Sequence, residues 1–553
     1  MVWSQSYHPT GWLLSVIFAA LPLVVLLGCI GLLKMRAWVA ALLALASAIV
    51  IATAVFGMPA AMAGSAAGFG AAYGLLPIGW IVLNIIFLYR LTSESGQFEV
   101  LRDSIGGITA DSRLQLLLIA FCFGAFFEGA AGFGAPVAVT GAMLIGLGFT
   151  RLQASGLSLI ANTAPVAFGA LGIQTVSLAG VTGLPVEQLA AMVGRIMTPF
   201  CLIVPVWLLV AYCGWRRTLE VWPAALVTGG SYALSQLAIS NLHGPWLASI
   251  GPALISVVVL IAFLRLWQPS VPMHVNEAPL SPGDERAPEL NAPARPRADT
   301  ATLAKAWAPW LILTLLVFLW GIPAVKAALD GIFKQAIHIG ALDMRVLRVP
   351  PVVVAPIAEP AVYNFNPLSA TGTAILIAAV ASAFLLGIGP RAMARCYGRA
   401  FMTVIPSLLT IAAMLALGNV TRFSGLDATM GLAFATTGTF YPYFGTMLGW
   451  LGTAVTGSDT ASNVLFGGLQ KITAGQLHLS PILMASANSA GGVMGKMIDA
   501  QSIVVASTAT QWFGQEGRIL RYVFVHALIL GSLVGLSILL MAYVWPFTLL
   551  VVR

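Results

Sequence analysis

FCFGAFFEGAAGFGAPVAVTGAMLIGLG, residues 121–148, is apolar enough to lie in a membrane, yet it carries one carboxylate, Glu128. Gly124, Gly129, Gly132, Gly134 and Pro136 crowd around that carboxylate. Glycine and proline inside a helix interrupt it and free backbone N–H and C=O groups. In hydrocarbon, broken backbone survives only where protein buries it or where it lines a wet cavity. A carboxylate at that depth costs about 3 kcal/mol on insertion scales. Two costly features at one place mark a candidate site. The plainer reading is a kinked packing helix with a buried, protonated Glu.

Working outward, the whole chain has the same character. Its 553 residues are 59% hydrophobic and 8% charged, against roughly 25% charged in soluble domains. Period-2 alternation is absent, which argues against an outer-membrane barrel. The expected fold is therefore an all-α polytopic membrane protein. The net charge of +8 sits in short loops between apolar runs, where it sets orientation, so no nucleic-acid partner is implied. Cys29, Cys122, Cys201, Cys213 and Cys396 have no metal spacing and read as free buried thiols. The first basic residues, Lys34 and Arg36, follow the first apolar run, unlike the n-region of a cleavable signal.

A spanning helix needs about 20 apolar residues. Candidates lie at 11–33, 37–57, 72–90, 153–175, 188–213, 221–241, 246–266, 306–325, 371–388, 398–420, 480–510 and 523–550. Lys and Arg then set the sides. Lys34 and Arg36 place their loop inside, as do Arg90, Arg102 and Arg113, and then Arg216 and Arg217. Three apolar stretches separate Arg113 from Arg216, and an odd number of crossings cannot return to the same side. The first, 114–149, is broken in its middle, so it reads as a re-entrant hairpin with its tip near Glu128. In the second half, Arg391, Arg395 and Arg399 are inside, and so are Arg518 and Arg521. The run 440–475, broken at TGSDTASN (456–463), then reads as a hairpin from outside. The count is about twelve crossings and two hairpins.

The two halves repeat. LIANTAPVAFGALGIQT (159–175) follows the first hairpin and MASANSAGGVMGKMIDAQS (484–502) the second, pairing Asn162 with Asn488 and Gly169 with Gly495. The expected organisation is a first inverted repeat over 1–220 with hairpin 114–149, and a connecting helix pair over 221–266. A Pro-rich cytoplasmic linker over 267–303 follows, then a second inverted repeat over 304–553 with hairpin 440–475. Inverted repeats with broken helices are the signature of secondary transporters with a midplane site. The segment 326–370 strains this plan, because an outer segment would carry Lys326, Lys334, Arg345 and Arg348.

Helix N-termini at the tips and breaks favour an anion. Gly129, Gly132 and Gly134 supply backbone there. Asn162, Thr163, Ser458, Thr460, Asn463 and Asn488 add neutral hydrogen-bonding groups suited to a small hydroxylated carboxylate. Glu128 and Asp459, one at each tip, are the candidates for proton coupling. Lys496 could face a substrate carboxylate. It could equally pair with Asp499 at i, i+3, while Arg195 reads either as a substrate cation or as an interface arginine. His526 reads more simply as a packed polar group than as a proton relay. GAAGFG follows no strand and is no dinucleotide fingerprint, and GxxxxGK[ST] is absent. No metal set, cofactor motif or nucleophile–base pair stands out, so neither a cofactor nor an enzyme is expected.

Several of these stretches resemble one family. FCFGAFFEGAAGFGAPVAVTGAMLIGLGF (121–149), NTAPVAFGALGI (162–173), GWLGTAVTGSDTASN (449–463) and GGVMGKMIDAQSI (491–503) are similar to the bacterial lactate permease family. So are WSQSYHPTG (3–11), RLQLL (113–117) and SATGTAIL (369–376). The likeness runs nearly the whole length and fails mainly in 267–303 and 326–348. It implies a cytoplasmic-membrane symporter of L-lactate, D-lactate and glycolate with protons. The alternatives are a sodium-coupled carboxylate carrier, since TGSDTASN also resembles sodium-binding hairpin tips, and an anion channel. The partners implied are a small 2-hydroxymonocarboxylate, protons and membrane lipid. Oligomeric state is left open, a homodimer included.

Overall fold

The computed structural model describes residues 2–552 except 32, 34, 107, 131–134, 278–283, 285–298, 513 and 514. Lys34, Gly132, Gly134 and most of the linker fall outside the described residues.

The apolar runs form helices. The first two are α1 Trp12–Gly31 and α2 Ala37–Ala54. The run expected at 72–90 belongs to a longer stretch, α3 Ala60–Tyr73 and α4 Trp80–Glu94, joined by a π-helical turn. Leu76 is extended there (φ −133°, ψ 118°), as the ring of the following Pro77 demands. α5 Gln97–Gly106 follows. α6 Ser112–Leu116 continues through a widened turn, 117–123, into α7 Gly124–Ala130, and α8 Ala135–Gly146 runs back. Next comes a broken segment made of α9 Arg151–Ala161, α10 Thr163–Val166 and α11 Ile173–Thr182, bent by 41°. α12 Val186–Leu219, α13 Trp222–Leu242 and α14 Ile250–Leu266 complete the first half.

The second half comprises α15 Thr300–Gly321, α16 Pro323–Ile332, α17 Thr371–Leu385, α18 Pro390–Ser424 and α19 Leu426–Phe434. It ends with α20 Tyr441–Thr456, α21 Asp459–Gln476, α22 Pro481–Gly495, α23 Ala500–Ala509 and α24 Glu516–Tyr543. Among the described residues, eight helical stretches are long and apolar enough to cross a membrane, or nine with the bent pair. Two runs counted as crossings in the sequence, α14 and α17, have only 17 and 15 residues.

Both ends of the stretch 114–149 lie at the same end of α12. Arg113 is fully buried and donates to the Arg217 carbonyl at 3.0 Å and to Glu220 at 2.5 Å. Phe149 packs on Tyr212, which lies just before the kink at Gly214 (φ +77°) that separates it from Arg217. Linker residues cover this end: Ser112 donates to the Met273 carbonyl, and Thr150 donates to Asp284. The arms of the second hairpin pair along their length. Tyr441 donates to Gln470 at 2.7 Å near the open end, and Ser462 donates to the Gly449 carbonyl at 3.0 Å nearer the tip. Its open end meets a different layer, where Gln476 donates to the Pro351 carbonyl.

That layer contains short strands, which the sequence did not announce. β1 Trp3–Ser4 pairs parallel with β3 Val346–Arg348, which pairs antiparallel with β4 Ile357–Ala358. β2 Gln335–His338 pairs antiparallel with β5 Val362–Phe365. Three of the four basic residues that strain the topology have local partners. Lys326 lies over Trp246, Lys334 pairs with Asp330, and Arg348 pairs with Glu359. The five cysteines are free and buried.

Glycine brings helices of the second repeat close together. A Cβ on Gly449 would lie 2.0 Å from the Asn488 carbonyl oxygen, and one on Gly491 2.0 Å from that of Thr446. α20 and α22 are thus packed backbone to backbone, which places the hairpin directly on the broken helix.

Candidate functional site

The end of α7, the turn between α20 and α21, and two helix breaks meet around one cavity of about 520 Å³. Each half of the chain contributes a helix break to it. α10 ends before Gly169 (φ +52°), a left-handed position that glycine tolerates, and α11 restarts at Ile173. In the second repeat, α22 ends at Gly495, a short 3-10 turn spans Lys496–Ile498, and α23 restarts at Ala500. Asp499 caps α23, accepting from the Ser502 N–H at 2.7 Å. The second tip turns at Gly457 (φ +73°), and Ser458 caps α21. DTASN, which the sequence places within the break, forms the first turn of α21.

Five of the candidate residues line the cavity together: Glu128, Ser458, Asp459, Thr460 and Lys496. Glu128 is 4% exposed, and its Oε2 accepts from Asn162 Nδ2 at 3.2 Å. Asp459 is 2% exposed and accepts from three neutral donors: Ser489 at 3.0 Å, Asn463 at 3.3 Å and Thr453 at 3.4 Å. Lys496 donates to the Gly457 carbonyl at 2.7 Å and pairs with the fully buried Asp499 at 3.0 Å. The cation is thus held beside the tip by the residue that caps the next helix.

Other candidates stand behind this lining. Asn463 and Asn488 form a buried chain, with Asn488 Nδ2 donating to Asn463 Oδ1 at 3.0 Å and Gln470 donating to Asn488 at 3.3 Å. Asn162 orients Glu128. Thr163 bonds back to the Ile160 carbonyl within its own segment. Gly129 is a packing position, since a Cβ there would lie 2.7 Å from Ile250 on α14. Arg195 lies away from the cavity, donating to Asn241 and to the Leu550 carbonyl. His526 accepts from Trp207 at 3.0 Å and does not line the cavity.

The lining also includes residues that the sequence did not single out. Gln174 and Gln501 face the cavity, as do Arg36 at the start of α2 and Thr410 on α18. The two glutamines could have been found from the repeat, because each is the second residue of the helix that resumes after a break. Among the described residues, no group of three or more His, Cys, Asp or Glu side chains could hold a metal. The site therefore offers two buried carboxylates, two cations (Lys496 and, at its exposed edge, Arg36) and several neutral donors around a space for a small molecule.

Comparison with known proteins gives a consistent picture. The family model described as L-lactate permease matches residues 15–545. Glycolate permease GlcA of Escherichia coli (strain K12) is 44% identical over 99% of both chains. The L-lactate permease of Bacillus subtilis (strain 168) is 42% identical over 99% of both. A solved structure of Neisseria gonorrhoeae MtrF covers 86% of this chain and 82% of its own at 10% identity. Its TM-score of 0.47 is too low to support an inference.

Proposed function

The chain belongs to the L-lactate permease family, and from that premise we propose that it takes up lactate, L- and D-, and glycolate together with protons. It is a multi-pass membrane protein. The observation that carries the reading is the cavity holding Glu128, Asp459 and Lys496 between two hairpin tips and two helix breaks. A 2-hydroxymonocarboxylate needs one cationic or N–H-rich partner and one neutral partner for its hydroxyl. Lys496, Ser458 and Thr460 offer both kinds. A dicarboxylate would bury a second charge without a partner, costing several kcal/mol.

Glu128 is the better proton carrier of the two acids. Hydrogen bonds to the ionised form favour that form. Among the described residues Asp459 has three such donors and Glu128 one. Glu128 therefore pays more for its charge and more readily takes a proton from water reaching the cavity.

The two halves act as inverted repeats with re-entrant hairpins at 114–149 and 440–475. The contacts of Arg113 with Arg217 and of Phe149 with Tyr212 support this, because together they bring both ends of the first hairpin region to the same part of α12. With Arg36 inside by the positive-inside rule, a cavity lined by Arg36 and Trp38 opens to the cytoplasm. The test is uptake of labelled lactate into proteoliposomes under an acid-outside pH step, without sodium. Concentrative uptake, reduced by glycolate and not by succinate, is expected. Uptake that requires sodium, or that only equilibrates, would overturn the reading.

A further inference from the structure

Gln174 is nine-tenths buried, yet its Oε1 has no hydrogen-bond donor among the described residues. Most buried side-chain oxygens in folded proteins are partnered, so an orphan that lines a cavity has a ligand to account for it. Its position is built. The left-handed backbone at Gly169 lies under the amide, and a Cβ there would come within 1.9 Å of Gln174 Nε2. Asn463 Nδ2, in the first turn of α21, reaches the Gln174 main-chain oxygen at 3.5 Å. That contact ties the start of α11 to the opposite hairpin tip. The Gln174 backbone is thereby tied to the tip, and the residue lines the cavity with Lys496 and Asp459.

An acceptor without a donor is wasted on a carboxylate, which has only acceptors. It suits a hydroxyl, which can donate. We propose that Gln174 Oε1 accepts the 2-hydroxyl of the substrate and so makes the site select 2-hydroxy acids over plain short carboxylates. Gln501 holds the same register position in the second repeat, but it is exposed and lacks a comparable buried seat. The residue type thus recurs after both breaks and is buried at one of them. A site built to bond a hydroxyl rejects the analogue lacking it, because the buried polar atom stays unpaired.

The assignment rests on the lactate–glycolate reading above, and the experiment separates the two. Inhibition constants for lactate and propionate, which differ only in the hydroxyl, are measured on labelled-lactate uptake in proteoliposomes. The wild type should prefer lactate by about tenfold or more. Gln174→Met, which keeps the length and loses the acceptor, should bring the ratio near one by weakening lactate while leaving propionate unchanged. Gln501→Met should keep the wild-type ratio. If Gln174→Met does not transport, thermal shift of the purified protein with each acid reads the same ratio, and Gln174→Leu supplies a second apolar variant. A wild-type ratio retained in both Gln174 variants, or lost in Gln501→Met alone, overturns the role of Gln174. A wild type that accumulates neither lactate nor glycolate overturns the functional reading instead.

Discussion

Replacing Glu128 with Gln tests the coupling mechanism with little structural disturbance. The Gln carbonyl can still accept from Asn162 Nδ2, which donates to Glu128 at 3.2 Å. Glu128→Ala would instead leave that donor orphaned at a cost of about 1–3 kcal/mol. Gln is also close in shape to a protonated Glu, so the variant mimics a carrier fixed in its loaded form. One proton moving with one monoanion carries no net charge, and the driving force is then the pH difference alone. One pH unit is worth about 1.4 kcal/mol, or about tenfold accumulation. With the potential clamped at zero and the outside one unit more acid, the wild type should concentrate lactate about tenfold. Glu128→Gln should level off near a ratio of one. Lactate–lactate exchange should persist in the variant, because exchange requires no proton release. Asp459→Asn should behave differently, raising KM while leaving the accumulation ratio near ten, since Asp459 mainly orders the tip through its three donors. Tenfold accumulation by Glu128→Gln would refute the choice of Glu128 and shift the role to Asp459.

Three other perturbations follow from particular contacts. Lys496→Met should raise the KM for lactate at least about tenfold, a loss of one charge-assisted contact. Adding Asp499→Asn removes the stranded buried acid, so recovery of wild-type KM in the double variant would reduce Lys496 to a structural partner. Gly449→Ala places a methyl 2.0 Å from the Asn488 oxygen and should destabilise the protein by roughly 1–3 kcal/mol. An unchanged Tm in detergent would contradict the close packing of α20 on α22. In the strand layer, burial pushes the Glu359 carboxyl up, but Arg422 and Arg348 beside it outweigh burial and hold it below the ordinary carboxylate value. A depressed folded pKa gives stability that is present above the unfolded value, about 4.3, and lost as pH falls through the folded value. Protection factors across 344–359, with the intrinsic exchange rate divided out, should therefore be high at neutral pH and fall below about pH 4, and Glu359→Gln should lower them at pH 7.

The broken backbone was legible because it is chemically costly. Glycine, proline and a carboxylate within 121–148 conflict with an apolar environment unless a cavity receives them. The repeat in 159–175 and 484–502 located both breaks for the same reason, and Gly169 and Gly495 lie at them. The facing of each polar side chain was not legible. Ser458 and Thr460 line the cavity, whereas Asn463, one helical turn on, turns back to Asp459 and Asn488. That choice depends on the phase with which α21 leaves Gly457, and residue type does not encode it. The strands at 335–365 were hidden because they are two to four residues long, too short for alternation to register. α3 was hidden because AAMAGSAAGFG reads as weakly apolar, although its small residues let Gly70 lie against the Leu415 carbonyl.

The same three-part device occurs in both halves, and its differences divide the labour. Each half brings an acid at a hairpin tip to a polar residue at a helix break, and each resumes its helix with a glutamine. In the first half the acid has one donor and the glutamine is buried with a free acceptor. In the second half the acid has three donors, the glutamine is exposed, and a lysine occupies the break. On the proposed reading, the first half carries the groups that change their bonding state, a proton on Glu128 and a hydroxyl on Gln174. The second carries the fixed charge, Lys496 pinned between Gly457 and Asp499. A fixed cation needs a rigid seat, and backbone-to-backbone packing of α20 on α22 supplies it. A group proposed to gain and lose a proton needs the opposite, few competing bonds, and Glu128 has a single neutral donor among the described residues.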